Sequence, residues 1–139
     1  MEIQIICQLF LATFLGALIG LEREIKRKGA GLQTYSLVAL GSCLFTLIVL
    51  SLNKSGIVAD PSSIFIAIAV GMGFIGGGVI FRGESGIAGL TTAAALWTNA
   101  AIGLAVGAQF YFLAIFTTLL ALLILAGFGL LEERDFFKQ

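Results

Sequence analysis

Apolar residues in this chain come in long unbroken runs, not in stripes. Five such runs are separated by short polar breaks: Ile3 to Gly20, Tyr35 to Leu52, Ile64 to Phe81, Leu90 to Val106 and Phe110 to Leu131. About 20 apolar residues in helical form cross the ~30 Å hydrocarbon core of a bilayer. Lipid offers no partner to an open backbone N–H, so a spanning segment is a helix or a strand of a closed barrel. Barrel strands alternate polar and apolar positions, and these runs do not. The pattern predicts an all-α integral membrane protein, a bundle of five transmembrane helices.

The breaks refine that picture. Asp60-Pro61-Ser62 is a helix-start signal ahead of the third run. Gly107-Ala108-Gln109 predicts a tight turn, which makes the last two runs an antiparallel hairpin. Lysine and arginine set the orientation. With five spans, Arg23, Lys26, Arg27, Lys28, Arg82, Arg134 and Lys138 share one side, and only Lys54 falls on the other. The N-terminus is therefore expected outside and the C-terminus in the cytoplasm. Met1-Glu2 carries no positive charge and the basic residues follow the first run, the reverse of a cleaved signal. Residues 1–139 read as a single transmembrane domain.

Composition agrees. Hydrophobic residues make up 59% and charged residues 12% of the 139 positions, against roughly 45–50% and 25% in soluble domains. Formal net charge is zero, so no global field recruits nucleic acid. Histidine is absent from the sequence, which removes the commonest proton shuttle and transition-metal ligand. Cys7 and Cys43 lie inside apolar runs and read as small buried side chains.

Eighteen glycines cluster within the runs. The pairs Gly16/Gly20, Gly73/Gly77 and Gly103/Gly107 each put two small residues on one helix face, where another helix can approach closely. They serve either packing within one bundle or a homodimer. Gly71-Met72-Gly73-Phe74-Ile75-Gly76 matches a dinucleotide fingerprint but lies inside an apolar run, without the strand and turn the fingerprint needs. Gly76-Gly77-Gly78 leaves open whether this run is continuous or unwound.

Intramembrane polar groups are the candidates for function. No Lys, Arg, Asp or Glu sits in the middle of a run. Gln8, Thr13, Ser42, Thr46, Thr98, Asn99, Thr117 and Thr118 do. Hydroxyls can bond back to their own helix. Asn99 is expected to reach across, as glue between helices or toward a ligand. Thr91 and Thr92 lie at a helix start, which favours polar or anionic partners. Trp97, the sole tryptophan, is expected in a packed contact or lining position with Thr98 and Asn99.

Charges gather at the expected cytoplasmic rim: Glu22, Arg23, Glu24, then Lys26 to Lys28, Arg82, Glu84 and the tail from Glu132. They read as interfacial anchors and ion pairs, or as Glu22 or Glu84 turned inward to offer oxygens to a hard cation such as magnesium. Nucleophilic catalysis and ATP hydrolysis have no residues to carry them, so no enzyme and no resident cofactor is expected.

Four motifs together resemble the MgtC/SapB family of bacterial membrane proteins. Gly20-Leu21-Glu22-Arg23-Glu24 is similar to its GLERE element, and Gly31-Leu32-Gln33-Thr34 with Leu37-Val38-Ala39-Leu40-Gly41 to its GLRT…LVALG element. Gly71 to Ile80 resembles GIGFLGAGVI, and Gly89 to Gly103 resembles GLTTAA.LW..AAIG. The resemblance covers about residues 12 to 131. Gln33 stands where the family carries arginine. Many members carry a C-terminal domain resembling ACT regulatory domains, and this sequence is expected to lack it. The resemblance implies the bacterial inner membrane, a link to magnesium homeostasis and to virulence in some members, and action on the membrane ATP synthase as a partner. Two readings follow: a non-enzymatic regulator working through intramembrane helix contacts, or a small homodimeric transporter with magnesium as its ligand or substrate.

Overall fold

A computed structural model describes residues 2–57, 60–83 and 86–128. The element order is α1 (Glu2–Ile25), α2 (Leu32–Lys54), α3 (Ser63–Gly78), β1 (Phe81–Gly83), β2 (Gly86–Ala88), α4 (Leu90–Gly107) and α5 (Tyr111–Leu123), which runs into a π-helical turn, Ile124–Phe128. Four helices are long and apolar enough to cross a membrane: α1, α2, α4, and α5 with its π turn. The third, α3, is apolar but has 16 residues, about 24 Å of helix. The chain is a membrane protein of helical architecture.

Phe10, Phe14, Phe74 and Phe112 face outward. Large apolar side chains on the outside fit lipid as the surrounding solvent.

The core is built on α2, whose backbone is gripped from two sides. On α1, a Cβ at Gly16 would lie 2.7 Å from the Tyr35 carbonyl oxygen, and one at Gly20 would lie 2.8 Å from Leu32 Cα. On α4, a Cβ at Gly103 would strike the Ala39 carbonyl oxygen, and one at Gly107 would lie 2.8 Å from Cys43 O. Glycine at these positions lets α1 and α4 close on the α2 backbone. Ile19, Tyr35, Ala39, Leu96, Ile102 and Val106 fill the seam.

Gly107-Ala108-Gln109 turns as the sequence predicts. Gln109 adopts φ 69°, and the Phe110 N–H donates to the Ala105 carbonyl (2.8 Å), which closes the end of α4. Asp60 Oδ1 and Oδ2 accept from the Ser62 N–H (2.9 Å) and hydroxyl (2.7 Å) just before α3 begins.

Two expectations change, and one open alternative is decided. The third run does not continue helically to Phe81: α3 ends at Gly78, and Phe81–Gly83 pairs antiparallel with Gly86–Ala88, Arg82 opposite Ile87. The glycine triplet therefore closes a helix that is continuous through Gly71 to Gly78, without a mid-span break. Gly89, at φ 90°, starts α4 against the Val79 carbonyl, where any Cβ would collide. Cys7 faces outward, while Cys43 is buried.

Candidate functional site

Polar side chains tie the bundle together at three depths. Gln8 of α1 is buried and donates through Nε2 to the carbonyls of Val106 (2.9 Å) and Gly107 (3.3 Å). Those carbonyls end α4, and the Val106 carbonyl also accepts the Gln109 N–H at 3.0 Å. Asn99 of α4, 0% exposed, donates through Nδ2 to the Tyr35 carbonyl at 2.7 Å. The Tyr35 hydroxyl in turn donates to the Thr92 carbonyl at 3.4 Å. Asn99 thus acts as glue between α2 and α4. Its Oδ1 is buried without a hydrogen-bond partner among the described residues.

The third tie is charged. Glu22 Oε2 lies 3.4 Å from Arg23 Nη1, and Glu22 Oε1 lies 2.9 Å from Lys26 Nζ. Lys26 also donates to the Leu125 carbonyl at 2.8 Å, joining the end of α1 to the π turn of α5. Arg23 is only 3% exposed. Its α1 stripe, Gln8, Ala12, Leu15, Ile19 and Arg23, is the buried face of the helix. Glu24 Oε2 accepts the Leu32 N–H at 2.7 Å and so caps α2 from the preceding helix. Glu22 is engaged by two cations of its own chain. No group of three His, Cys, Asp or Glu side chains able to hold a metal occurs among the described residues.

The other candidates scatter. Thr91 is exposed and Thr92 buried at the start of α4. Thr98 bonds back to the Ala94 carbonyl of its own helix at 3.0 Å. Trp97 is not enclosed: it is 52% exposed, and its Nε1 donates to the Ala69 carbonyl of α3 at 3.3 Å. Thr92 and Asn99 thus meet around Tyr35, whereas Thr91 and Trp97 are exposed. Arg82 lies exposed on β1, and Glu84 and the tail from Glu132 fall outside the described residues.

The open surface belongs to α3, which presents three faces. Met72 and Gly76 are buried, and a Cβ at Gly76 would lie 3.5 Å from the Ala93 Cβ of α4. Ile64, Ile68, Gly71 and Ile75 face a groove of about 680 Å³ whose opposite wall is Gln33, Thr34, Leu37, Gly41 and Phe45 of α2. At 100° per residue, Ile66, Val70, Gly73 and Gly77 fall nearly opposite that groove. They are exposed, and a Cβ at Gly73 or Gly77 would meet nothing within 4 Å. Of the glycine pairs singled out from sequence, two therefore hold the bundle and the third points away from it.

Sequence reasoning missed the groove. Its lining is mostly as apolar as the lipid-facing positions, so only Gln33 and Thr34 at one end and Ser42 near the other carried any signal.

The MgtC family matches residues 9–134 of this chain. Its relatives include an Escherichia coli (strain K12) protein named putative magnesium transporter YhiD, 41% identical over 96% of this chain and 65% of the relative. Protein SapB of Bacillus subtilis (strain 168) is 43% identical over 89% of this chain and 56% of its own length. Protein MgtC of Salmonella typhimurium (strain LT2) is 42% identical over 73% and 42%. The chain spans less than two thirds of each of these three relatives. No solved structure matches it.

Proposed function

The chain belongs to the MgtC family, and from that premise we propose that it is a non-enzymatic regulator in the bacterial inner membrane, acting in magnesium homeostasis through lateral helix contact. The observation that carries this reading is the Ile66, Val70, Gly73, Gly77 face of α3, which none of the other described residues covers. Small residues on an outward helix face let a second membrane helix come close. The partner is a membrane protein, with ATP synthase the candidate the family resemblance supplies, or a second copy of the chain.

We also propose five crossings, with the N-terminus outside. The start of α2 meets the start of α4 through Tyr35 and Thr92, so α3 must return the chain across the bilayer between them. Gln8 sets the start of α1 beside the end of α4, and Lys26 sets the end of α1 beside the end of α5. Alternating crossings satisfy all three ties. The short α3 reaches the interface with help from the hairpin Phe81–Ala88.

The test is growth of a host lacking its own family members at limiting magnesium. Gly73→Leu and Gly77→Leu should abolish rescue while the variants insert and retain wild-type thermal stability. Rescue by both inserted variants would refute the contact face.

A second reading is favoured by the name of the YhiD relative, a putative magnesium transporter. It makes this chain a small homodimeric transporter, with a path completed between copies.

A further inference from the structure

The groove between α2 and α3 is apolar over most of its length. Its α2 wall runs from Gln33 and Thr34, in the first turn, to Phe45, with Ser42 as the one further polar side chain. Its α3 wall runs from Ile64 to Ile75 and is apolar throughout. Gln33 to Phe45 is twelve helical steps, about 18 Å, close to the ~15 Å depth of one leaflet of hydrocarbon plus the beginning of the headgroup layer. The volume, about 680 Å³, lies in the range of sites that enclose a ligand, about 300–1,000 Å³.

The Gln33–Thr34 end of the groove lies at the start of α2, just after a basic turn of the chain. The first turn of α2 has no cap from Gly31, which contributes no side chain. Glu24 takes the Leu32 N–H, and Tyr35 donates to Gly31. The N–H groups of Gln33 and Thr34 lie in between, without acceptors in their own helix. A helix start of this kind favours an anion, phosphate in particular. The turn leading into α2 carries Arg27 and Lys28, both exposed. Glu22 pairs with Arg23 and Lys26, so Arg27 and Lys28 stand outside those ion pairs. The one carboxylate at this turn, Glu24, is outnumbered by these two cations.

We propose that the groove binds a single anionic phospholipid. Its acyl chain lies along the α2–α3 walls, and its phosphate sits at the first turn of α2 beneath Arg27 and Lys28. Gln33 then offers an amide donor to the headgroup without the full charge of an arginine.

The test is native mass spectrometry of the full chain released from nanodiscs of mixed phosphatidylglycerol and phosphatidylcholine. Gly71 lines the groove and a Cβ there meets nothing within 4 Å, so Gly71→Leu fills the groove without a clash in the fold. The wild type should retain one phosphatidylglycerol per chain, preferred over phosphatidylcholine by roughly tenfold or more, the gain expected from two basic residues near an anionic headgroup. Gly71→Leu should lose the retained lipid. Arg27→Gln with Lys28→Gln should keep one lipid but lose the preference. Equal retention of the two lipids by the wild type overturns the proposal, as does undiminished retention by Gly71→Leu. Dimers abolished by Gly71→Leu, with no lipid retained by the wild type, would assign the groove to a second copy instead.

Discussion

The Tyr35 carbonyl oxygen sits where three helices meet. Asn99 Nδ2 lies 2.7 Å from it on the α4 side, and the absent Cβ of Gly16 leaves room for it on the α1 side. Exchanging Asn99 for alanine removes the one side-chain donor to this oxygen among the described residues. Interhelical hydrogen bonds in membranes contribute about 0.6 kcal/mol on average and about 1.7 at most. Asn99→Ala should therefore lower thermal stability modestly, by an amount in that range. Thermal unfolding in detergent followed by circular dichroism measures it.

Gly103 and Gly73 should behave in opposite ways on the same substitution. A Cβ at Gly103 would strike the Ala39 carbonyl, whereas one at Gly73 meets nothing. Gly103→Ala should destabilise by about 1–3 kcal/mol, the usual cost of overpacking a close contact. Gly73→Ala should leave stability unchanged. Parallel melting curves decide this.

How far the sequence discloses this arrangement depends on what lipid allows. The helices are legible because a spanning segment must be long and apolar, and the α4–α5 turn is legible because Gly107-Ala108-Gln109 interrupts two such runs. Which side of each helix faces inward is much harder to read. Phe10 outside and Ile19 inside are equally apolar, so no periodicity separates core from lipid. For the same reason Gly73/Gly77 looks identical in sequence to Gly16/Gly20, and only the packing separates them. The hairpin at Phe81 was hidden by its place at the end of an apolar run, and the π turn has no distinctive composition. Asn99 stood out because a primary amide inside a span must find a partner. Its acceptor, a backbone carbonyl, leaves no mark in the sequence.

Lys26 should hold the end of α5. Its ammonium donates to Leu125 O at 2.8 Å, within the π turn, and pairs with Glu22 at 2.9 Å. Lys26→Met keeps the apolar stem and removes the donor. Amide exchange across Ile124–Phe128 should accelerate in this variant, while exchange in α2 stays at the wild-type rate. Hydrogen–deuterium exchange read by mass spectrometry gives both.

Acid should loosen the start of α3. The Ser62 hydroxyl and N–H hold the Asp60 carboxyl below its ordinary value. A carboxyl depressed in the folded state adds stability above its unfolded value, about 3.9, and that stability is lost as pH falls through the folded value. Exchange of the first-turn amides of α3 should therefore rise below about pH 4 in the wild type. In Asp60→Asn it should already be raised at neutral pH and show no such step.

The proposed function has this chain act by contact, without carrying magnesium itself. The most direct measurement is magnesium flux into proteoliposomes that hold the purified chain and an internal magnesium-sensitive dye. The contact account predicts flux no greater than in protein-free liposomes, from correctly inserted protein. Saturable flux that Glu22→Ala or Asn99→Ala abolishes would contradict it and establish a transporter.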